Sequence, residues 1–333
     1  MKIFLPFKIK DIGGPSSFAK KFQEGMQKRG HEVFFEHQAD YDILFLIVQA
    51  PFKYLIEAKR KGKKIVQRLD GTHYWSVQGP MYLLFNLKAK IIRHFFADFT
   101  VYQSKYSKYC AEIFLGKKIR DPSAIIYNGV NLDLFSPTGD TINLRDNPEQ
   151  EIFFTATAFR RENQIVPIIE ALKIYGRTFD DNFKFLVAGT FTNNIAYVKN
   201  KYENFKNIVF LGKINNGDLP KYERAADVFL FTHSNPPCPN NVIESLACGL
   251  PVCGVADGAM PEIINNGKTG LLVPTQGDAF WVPRKYDPGT FADNIHQITS
   301  GRERFSANAR QSAEQCFSLD SMIDSYAKVL ETL

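Results

Sequence analysis

From one end of the chain to the other, short apolar runs take turns with longer amphipathic stretches. This alternation marks parallel βαβ units, because a parallel strand pair needs a crossover connection and a helix supplies it. In the first half, strands are predicted near residues 2–7, 32–36, 43–48, 63–69, 98–102 and 123–127. Helices fall between them, and Phe18, Phe22 and Met26, each four residues apart, mark one face of the first. After Asn128-Gly129 a polar stretch from Ser136 to Glu149 reads as loop and linker. The pattern then restarts, with strands predicted near 151–158, 183–188, 207–211, 227–232, 250–255 and 269–273. The reading is an α/β chain of two Rossmann-like, doubly wound parallel sheets, with domains at 1–148 and 149–315. A helix at 316–333 closes the chain and can cross back to the first domain. Ligands of such sheets sit beyond the carboxyl ends of the strands, so two sheets facing across a cleft are expected to share one site. No internal repeat or low-complexity segment is visible.

With 333 residues, 44% hydrophobic and 23% charged, a disordered chain is excluded and two domains of about 150 residues fit. The longest aliphatic stretch, Ile43 to Val48, is far short of the roughly 20 apolar residues of a membrane helix. Pro6 and Lys8 interrupt the N-terminal apolar run before it reaches a signal-peptide core of about 7–15 residues, so a cytoplasmic protein is expected. The five cysteines, Cys110, Cys238, Cys248, Cys253 and Cys316, are odd in number and form no CxxC pair, which argues against disulfides and a zinc site.

Charge is unevenly spread. Residues 1–150 hold 23 basic against 15 acidic residues, leaving 18 against 20 in the remainder. Within the basic half, residues 82–96 combine a wide apolar face with Lys88, Lys90 and Arg93, and Lys59, Arg60, Lys61, Lys63 and Lys64 form a second cluster. Two readings stand: a helix lying peripherally on an anionic membrane, or a core helix with a solvated basic edge. No nucleic-acid partner is expected.

Three segments carry chemistry. Gly13-Gly14-Pro15-Ser16-Ser17 follows the first strand and opens a helix, where glycine permits close approach and the helix start offers amides and a positive dipole end. The second runs from Pro236-Pro237-Cys238-Pro239-Asn240-Asn241 through Glu244 to Gly249-Leu250-Pro251-Val252, and Gly258-Ala259-Met260-Pro261-Glu262 follows it. The third is Arg68-Leu69-Asp70-Gly71-Thr72-His73, at the end of a strand. Asp40-Tyr41-Asp42 spells a DxD, but it precedes a strand early in a doubly wound domain, and no metal is expected there.

The segment from Glu244 to Val252, with Asn128-Gly129-Val130-Asn131-Leu132-Asp133-Leu134-Phe135, resembles the family 4 retaining glycosyltransferases of the GT-B fold. The likeness extends over most of the chain, including Gly13-Gly14, Lys28-Arg29-Gly30-His31, Tyr102-Gln103-Ser104 and Phe317-Ser318-Leu319. It implies an enzyme moving a sugar from a nucleotide-sugar donor, bound mainly by the second domain, to a hydroxyl of a glycan or lipid-linked acceptor. Neither cofactor nor metal is implied, and the leaving phosphate is the expected base. Glu244 is then expected on the donor ribose. Arg160 and Arg161, with amides near Gly13, Gly14, Gly258, Ala259 and Met260, are expected to stabilise the diphosphate. Asp70 and His73 are expected at the sugar, beside Asn240. Two departures stand out: Pro236 occupies the place of the first glutamate in the family's Glu-x7-Glu pattern, and Asn163 that of a lysine. The rival readings are a glycoside phosphorylase and a catalytically silent binding protein.

Overall fold

The computed structural model describes residues 1–10, 13–282 and 284–333. Its first sheet is built by β1 (Lys2–Phe4), α1 (Gly14–Lys28), β2 (Glu32–Phe34), β3 (Ile43–Ile47), α2 (Phe52–Arg60), β4 (Lys64–Leu69), α3 (Trp75–Gln78), α4 (Tyr82–Ile91), β5 (Phe99–Tyr102), α5 (Lys105–Phe114) and β6 (Ser123–Ile125). The second uses β7 (Glu151–Ala156), α6 (Val166–Thr178), β8 (Phe183–Ala188), α7 (Tyr197–Tyr202), β9 (Ile208–Gly212), α8 (Leu219–Ala225), β10 (Val228–Phe231), α9 (Asn240–Ala247), β11 (Val252–Val255), α10 (Met260–Ile263) and β12 (Gly270–Val273). Three helices complete the chain: α11 (Pro288–Ser300), α12 (Arg302–Cys316) and α13 (Leu319–Glu331).

Each sheet has six parallel strands, in the orders β2-β1-β3-β4-β5-β6 and β12-β11-β10-β7-β8-β9. The strands lie on the apolar runs of the sequence, and the physical reason is plain in β3. Ile43, Phe45 and Ile47 enter a core with Phe18, Phe22 and Met26 of α1, while Leu44 and Leu46 enter a second core with Leu55 and Ala58 of α2. Helices cover both faces, so every position is apolar. β1 is shorter than its run because the Phe7 amide turns back onto the Leu5 carbonyl at 2.7 Å.

By internal contacts the chain divides at Gly129/Val130, earlier than the linker suggested, with Phe280–Val282 and Leu319–Leu333 belonging to the first unit. The polar stretch after 130 is bound to the second unit. The Val130 amide donates to the Phe317 carbonyl at 2.8 Å, Arg310 donates to the carbonyls of Leu132 and Phe135, and Arg145 forks onto Asp227 at 2.7 and 2.8 Å. In the first unit α13 lies on α1, where Ile323 and Tyr326 are buried among Phe18, Phe22 and Phe45. Phe280 sits against Phe114, with ring centres 4.9 Å apart, and near Tyr74 and Tyr106.

The basic edge expected along 82–96 is altered by the fold. Arg93 is fully buried, donating to the Tyr102 hydroxyl at 2.9 Å and pairing with Asp121 at 3.4 Å. Lys59 is engaged by Asp98 and Lys61 by Glu57, each at 2.7 Å. Asp40 and Asp42 of the DxD both accept hydrogen bonds from Lys2. None of the five cysteines is in a disulfide, and of the five Cys316 alone is exposed. No described helix is long and apolar enough to cross a membrane.

Candidate active site

In the second sheet the strand order reverses between β7 and β10, which are neighbours although far apart in sequence. A crevice beyond the carboxyl ends of the strands opens at such a reversal. The loops after β7, β10 and β11 therefore lie side by side, and side chains stitch them together. Asn163 Nδ2 donates to Ser234 Oγ at 2.9 Å, and Thr232 Oγ1 donates to the Asn163 carbonyl at 3.0 Å. Asn241, at the start of α9, donates to the Ala156 carbonyl at the end of β7. Asn163, standing where a lysine was anticipated, thus ties two loops together.

Arg160 and Arg161 are exposed on the first of these loops. Gln164 Oε1 accepts both of their amides, at 2.6 and 3.0 Å. That fixes the orientation of the Gln164 amide and leaves its Nε2, a donor, 3.2 Å from the ring nitrogens of His233. A donor there requires an unprotonated ring nitrogen. Burial, then the charges of Arg160 and Arg161, push the His233 pKa down from 6.5 to about 3, which agrees with the hydrogen-bond pattern. His233 also stacks on Phe231, with ring centres 4.4 Å apart. The loop therefore presents two guanidinium groups beside a neutral imidazole.

Glu244 lies buried in the middle of α9, and Asn240 is the first residue of that helix. Behind α9, Glu223 of α8 is also buried, accepting from Ser245 Oγ at 3.3 Å and from Cys248 Sγ at 3.1 Å. Burial, with the Glu244 charge adding to it, pushes the Glu223 carboxyl up from 4.5 to about 8. Two carboxylates close together in a dry site cannot both hold charge cheaply.

Gly258 has φ of +60°, and a Cβ there would lie 2.4 Å from Pro236 Cδ. Only glycine lets the turn after β11 pack so closely on the Pro236 loop. The amides expected to face a ligand in this turn are committed within it. Ala259 N donates to the Pro236 carbonyl at 2.8 Å, Met260 N to the Asp257 carbonyl at 3.1 Å, and the Gly258 amide serves the buried Asp257 carboxylate.

In the first sheet the order reverses between β1 and β3, and the loop after β1 carries the glycine pair. Gly13 adopts φ of +127° and precedes α1 without a side-chain cap, while Ser16 Oγ is turned back to accept the Lys10 amide at 2.9 Å. Asp70 follows β4 and forms an ion pair with Arg68. Arg68 is buried, donating to Asn128 Oδ1 at 2.9 Å and the Tyr326 hydroxyl at 3.1 Å, with its guanidinium 3.7 Å over the Phe18 ring. His73 is held by its backbone: Asn86 Oδ1 accepts its amide and Asn86 Nδ2 donates to its carbonyl. Burial lowers its ring pKa.

The profile of the family described as Glycosyl transferases group 1 matches residues 141–312. The chain belongs to this family. It is an enzyme that transfers glycosyl groups, and its two parallel sheets are those of the GT-B fold. An uncharacterized glycosyltransferase of Methanocaldococcus jannaschii is 24% identical over 311 residues, covering 84% of this chain and 81% of that protein. The N-acetyl-alpha-D-glucosaminyl L-malate synthase of Bacillus anthracis is 24% identical over 54% of this chain and 45% of its own length. Among solved structures, sucrose-phosphate synthase from Thermosynechococcus elongatus superimposes with a TM-score of 0.78 at 17% identity, covering 99% of this chain and 98% of that one. Anabaena HepE in complex with UDP-glucose gives 0.76 at 16% identity, covering 100% and 99%. At such identities the structural likeness is one of fold.

Arg160, Arg161 and Glu244 are placed on the neighbouring carboxyl-end loops and helix of this glycosyltransferase's second sheet, and Asp70 and His73 follow one strand of the first. Neither Gln164 nor His233 was given a role from the sequence. Their signal was available in principle, since both stand just beyond the ends of strands that neighbour one another across the reversal. Among the described residues no cluster of three His, Cys, Asp or Glu side chains is placed to hold a metal ion.

Proposed function

We propose that this group 1 glycosyltransferase is a retaining enzyme that takes a sugar from a nucleoside-diphosphate donor bound by its second unit and passes it to a hydroxyl. The observation that carries the reading is the pairing of Arg160 and Arg161 with a neutral His233 at the strand-order reversal. Two guanidinium groups match a diphosphate, whose negative charge grows as the glycosidic bond breaks. An imidazole held neutral can lie against the sugar or phosphate without adding charge of its own.

Glu244 fits the same scheme as an acceptor for ribose hydroxyls. In the first unit, Asp70 is engaged by Arg68 and serves better to orient acceptor or sugar hydroxyls than to attack carbon. The leaving phosphate then takes the proton of the incoming hydroxyl, and no protein nucleophile, cofactor or metal is needed. Support for a nucleotide-sugar donor comes from the HepE fold neighbour, whose structure was determined with UDP-glucose.

The test is transfer by the purified chain across a panel of nucleotide sugars, with the anomeric configuration of the product read by NMR. The same configuration in donor and product is expected. Inversion would overturn the mechanism. Turnover only with inorganic phosphate would mark a phosphorylase, and nucleotide binding without turnover a silent binder.

A further inference from the structure

A helix at a protein surface ordinarily turns its apolar stripe inward. In α4 the arrangement is reversed. Its buried positions are Asn86 and Ala89, and Asn86 is engaged with the His73 backbone. Outward stand Leu83, 63% exposed, Leu84, 59% exposed, and Leu87, which share one face at spacings of one and four. Met81 and Phe85 are exposed as well. Trp281 extends the patch, with its ring centre 6.3 Å from Tyr82 and 6.4 Å from Trp75, and Trp75, Trp281 and Val282 are all exposed. At the other end Lys88 Nζ lies 5.6 Å from the centre of the Phe52 ring, so the exposed row of α2, Phe52, Lys53, Ile56 and Arg60, continues the same surface.

The charges around this surface select its occupant. Residues 51–96 contain ten Lys and Arg against two Asp and Glu, and Glu57 is already paired with Lys61 while Asp70 is paired with Arg68. With Arg93 buried and Lys59 held by Asp98, six bases are left, and four of them, Lys53, Arg60, Lys88 and Lys90, stand on α2 and α4 themselves. A second copy of the chain docked about a two-fold axis would bring these bases against themselves. An anionic bilayer meets both features: leucines enter the headgroup boundary, tryptophans sit at headgroup level, and bases approach lipid phosphates. We propose that the outward face of α4, with Trp75, Trp281 and the exposed row of α2, docks the enzyme on an anionic lipid surface.

Co-sedimentation of the full chain with vesicles tests this, using phosphatidylcholine alone and phosphatidylcholine mixed with phosphatidylglycerol. The readout does not depend on glycosyl transfer, so it can fail while the proposed reaction stands, and the reverse. Binding to the anionic vesicles alone is expected, and it should weaken as salt rises. The triple change Leu83→Ser, Leu84→Ser, Leu87→Ser should abolish it with an unchanged circular dichroism spectrum, because these side chains are already exposed. Changing Lys53, Arg60, Lys88 and Lys90 to glutamine should weaken it by about fivefold per base. Equal binding to both vesicle types, or binding indifferent to the triple change, overturns the proposal. So does an unbound chain that is a dimer until the leucines are removed, which would make the patch a protein interface. A monomer that ignores both vesicles overturns it too.

Discussion

Gln164 turns the donor end of its amide toward the His233 ring. Its oxygen is fixed by the amides of Arg160 and Arg161, so its nitrogen faces the imidazole at 3.2 Å as a donor. Gln164→Glu would place an acceptor and a negative charge there, and the His233 pKa should rise from about 3 toward 6.5. Ring-proton NMR across pH 3–8 reads the change. An unmoved titration would show that burial and the two arginine charges keep His233 neutral without help from Gln164.

Replacing Arg160 and Arg161 together by glutamine removes the charge expected to meet the diphosphate. Hydrogen bonds to charged groups contribute about 1.5–3 kcal/mol each, so nucleoside-diphosphate affinity should fall at least tenfold by calorimetry. Both residues are exposed, so the melting temperature should hold. The same double change should raise the His233 pKa, because both charges now depress it.

The buried pair of glutamates makes stability depend on pH in a defined direction. Glu223 takes up its proton at about 8 when folded and at about 4.5 when unfolded. The folded state therefore binds the extra proton between these values, and its stabilising contribution is full below 4.5 and lost as pH rises through 8. Glu223→Gln should flatten that fall in urea midpoints measured from pH 5 to 9. Glu244→Gln should lower the Glu223 pKa, and it should also weaken nucleotide binding by at least about tenfold if Glu244 holds the ribose.

Gly258→Ala places a methyl group against the Pro236 ring and backbone at a positive φ. The strain should cost about 1–3 kcal/mol, read as a lower urea midpoint with the slope unchanged. Donor affinity should fall with it, because the Pro236 loop leads into α9.

Excess chelator should leave glycosyl transfer intact if arginines alone neutralise the leaving diphosphate. Loss of turnover in chelator, restored by magnesium or manganese, would show that an ion shares that task.

The strands were legible because each sheet is covered on both faces, which forces runs such as Ile43–Ile47 to be apolar throughout. The Glu244 helix was legible because its flanking turns demand glycine and proline at fixed places. What the sequence could not show is how side chains divide between inside and outside when a segment is apolar nearly all round. Residues 82–96 offered only a basic edge of Lys88, Lys90 and Arg93, and the fold buries Arg93. The choice was made by Asn86, whose two hydrogen bonds to the His73 backbone turn Leu83 and Leu84 outward, and by Arg93, whose partners Tyr102 and Asp121 lie beyond any local pattern. The polar stretch after Gly129 misled for a related reason: its attachment depends on Arg145 meeting Asp227, far along the chain.

The placement of α13 bears on how the protein is made. Tyr326 supplies a partner for the buried Arg68 guanidinium, and Ile323 fills the core beside Phe22. The first unit therefore waits, during synthesis, for residues that leave the ribosome only after the whole second sheet has been translated. Until then the α1 face stays uncovered and Arg68 lacks one of its acceptors. The second sheet can close first, as a contiguous stretch of nascent chain, while the earlier half is an incomplete body that chaperones can recognise.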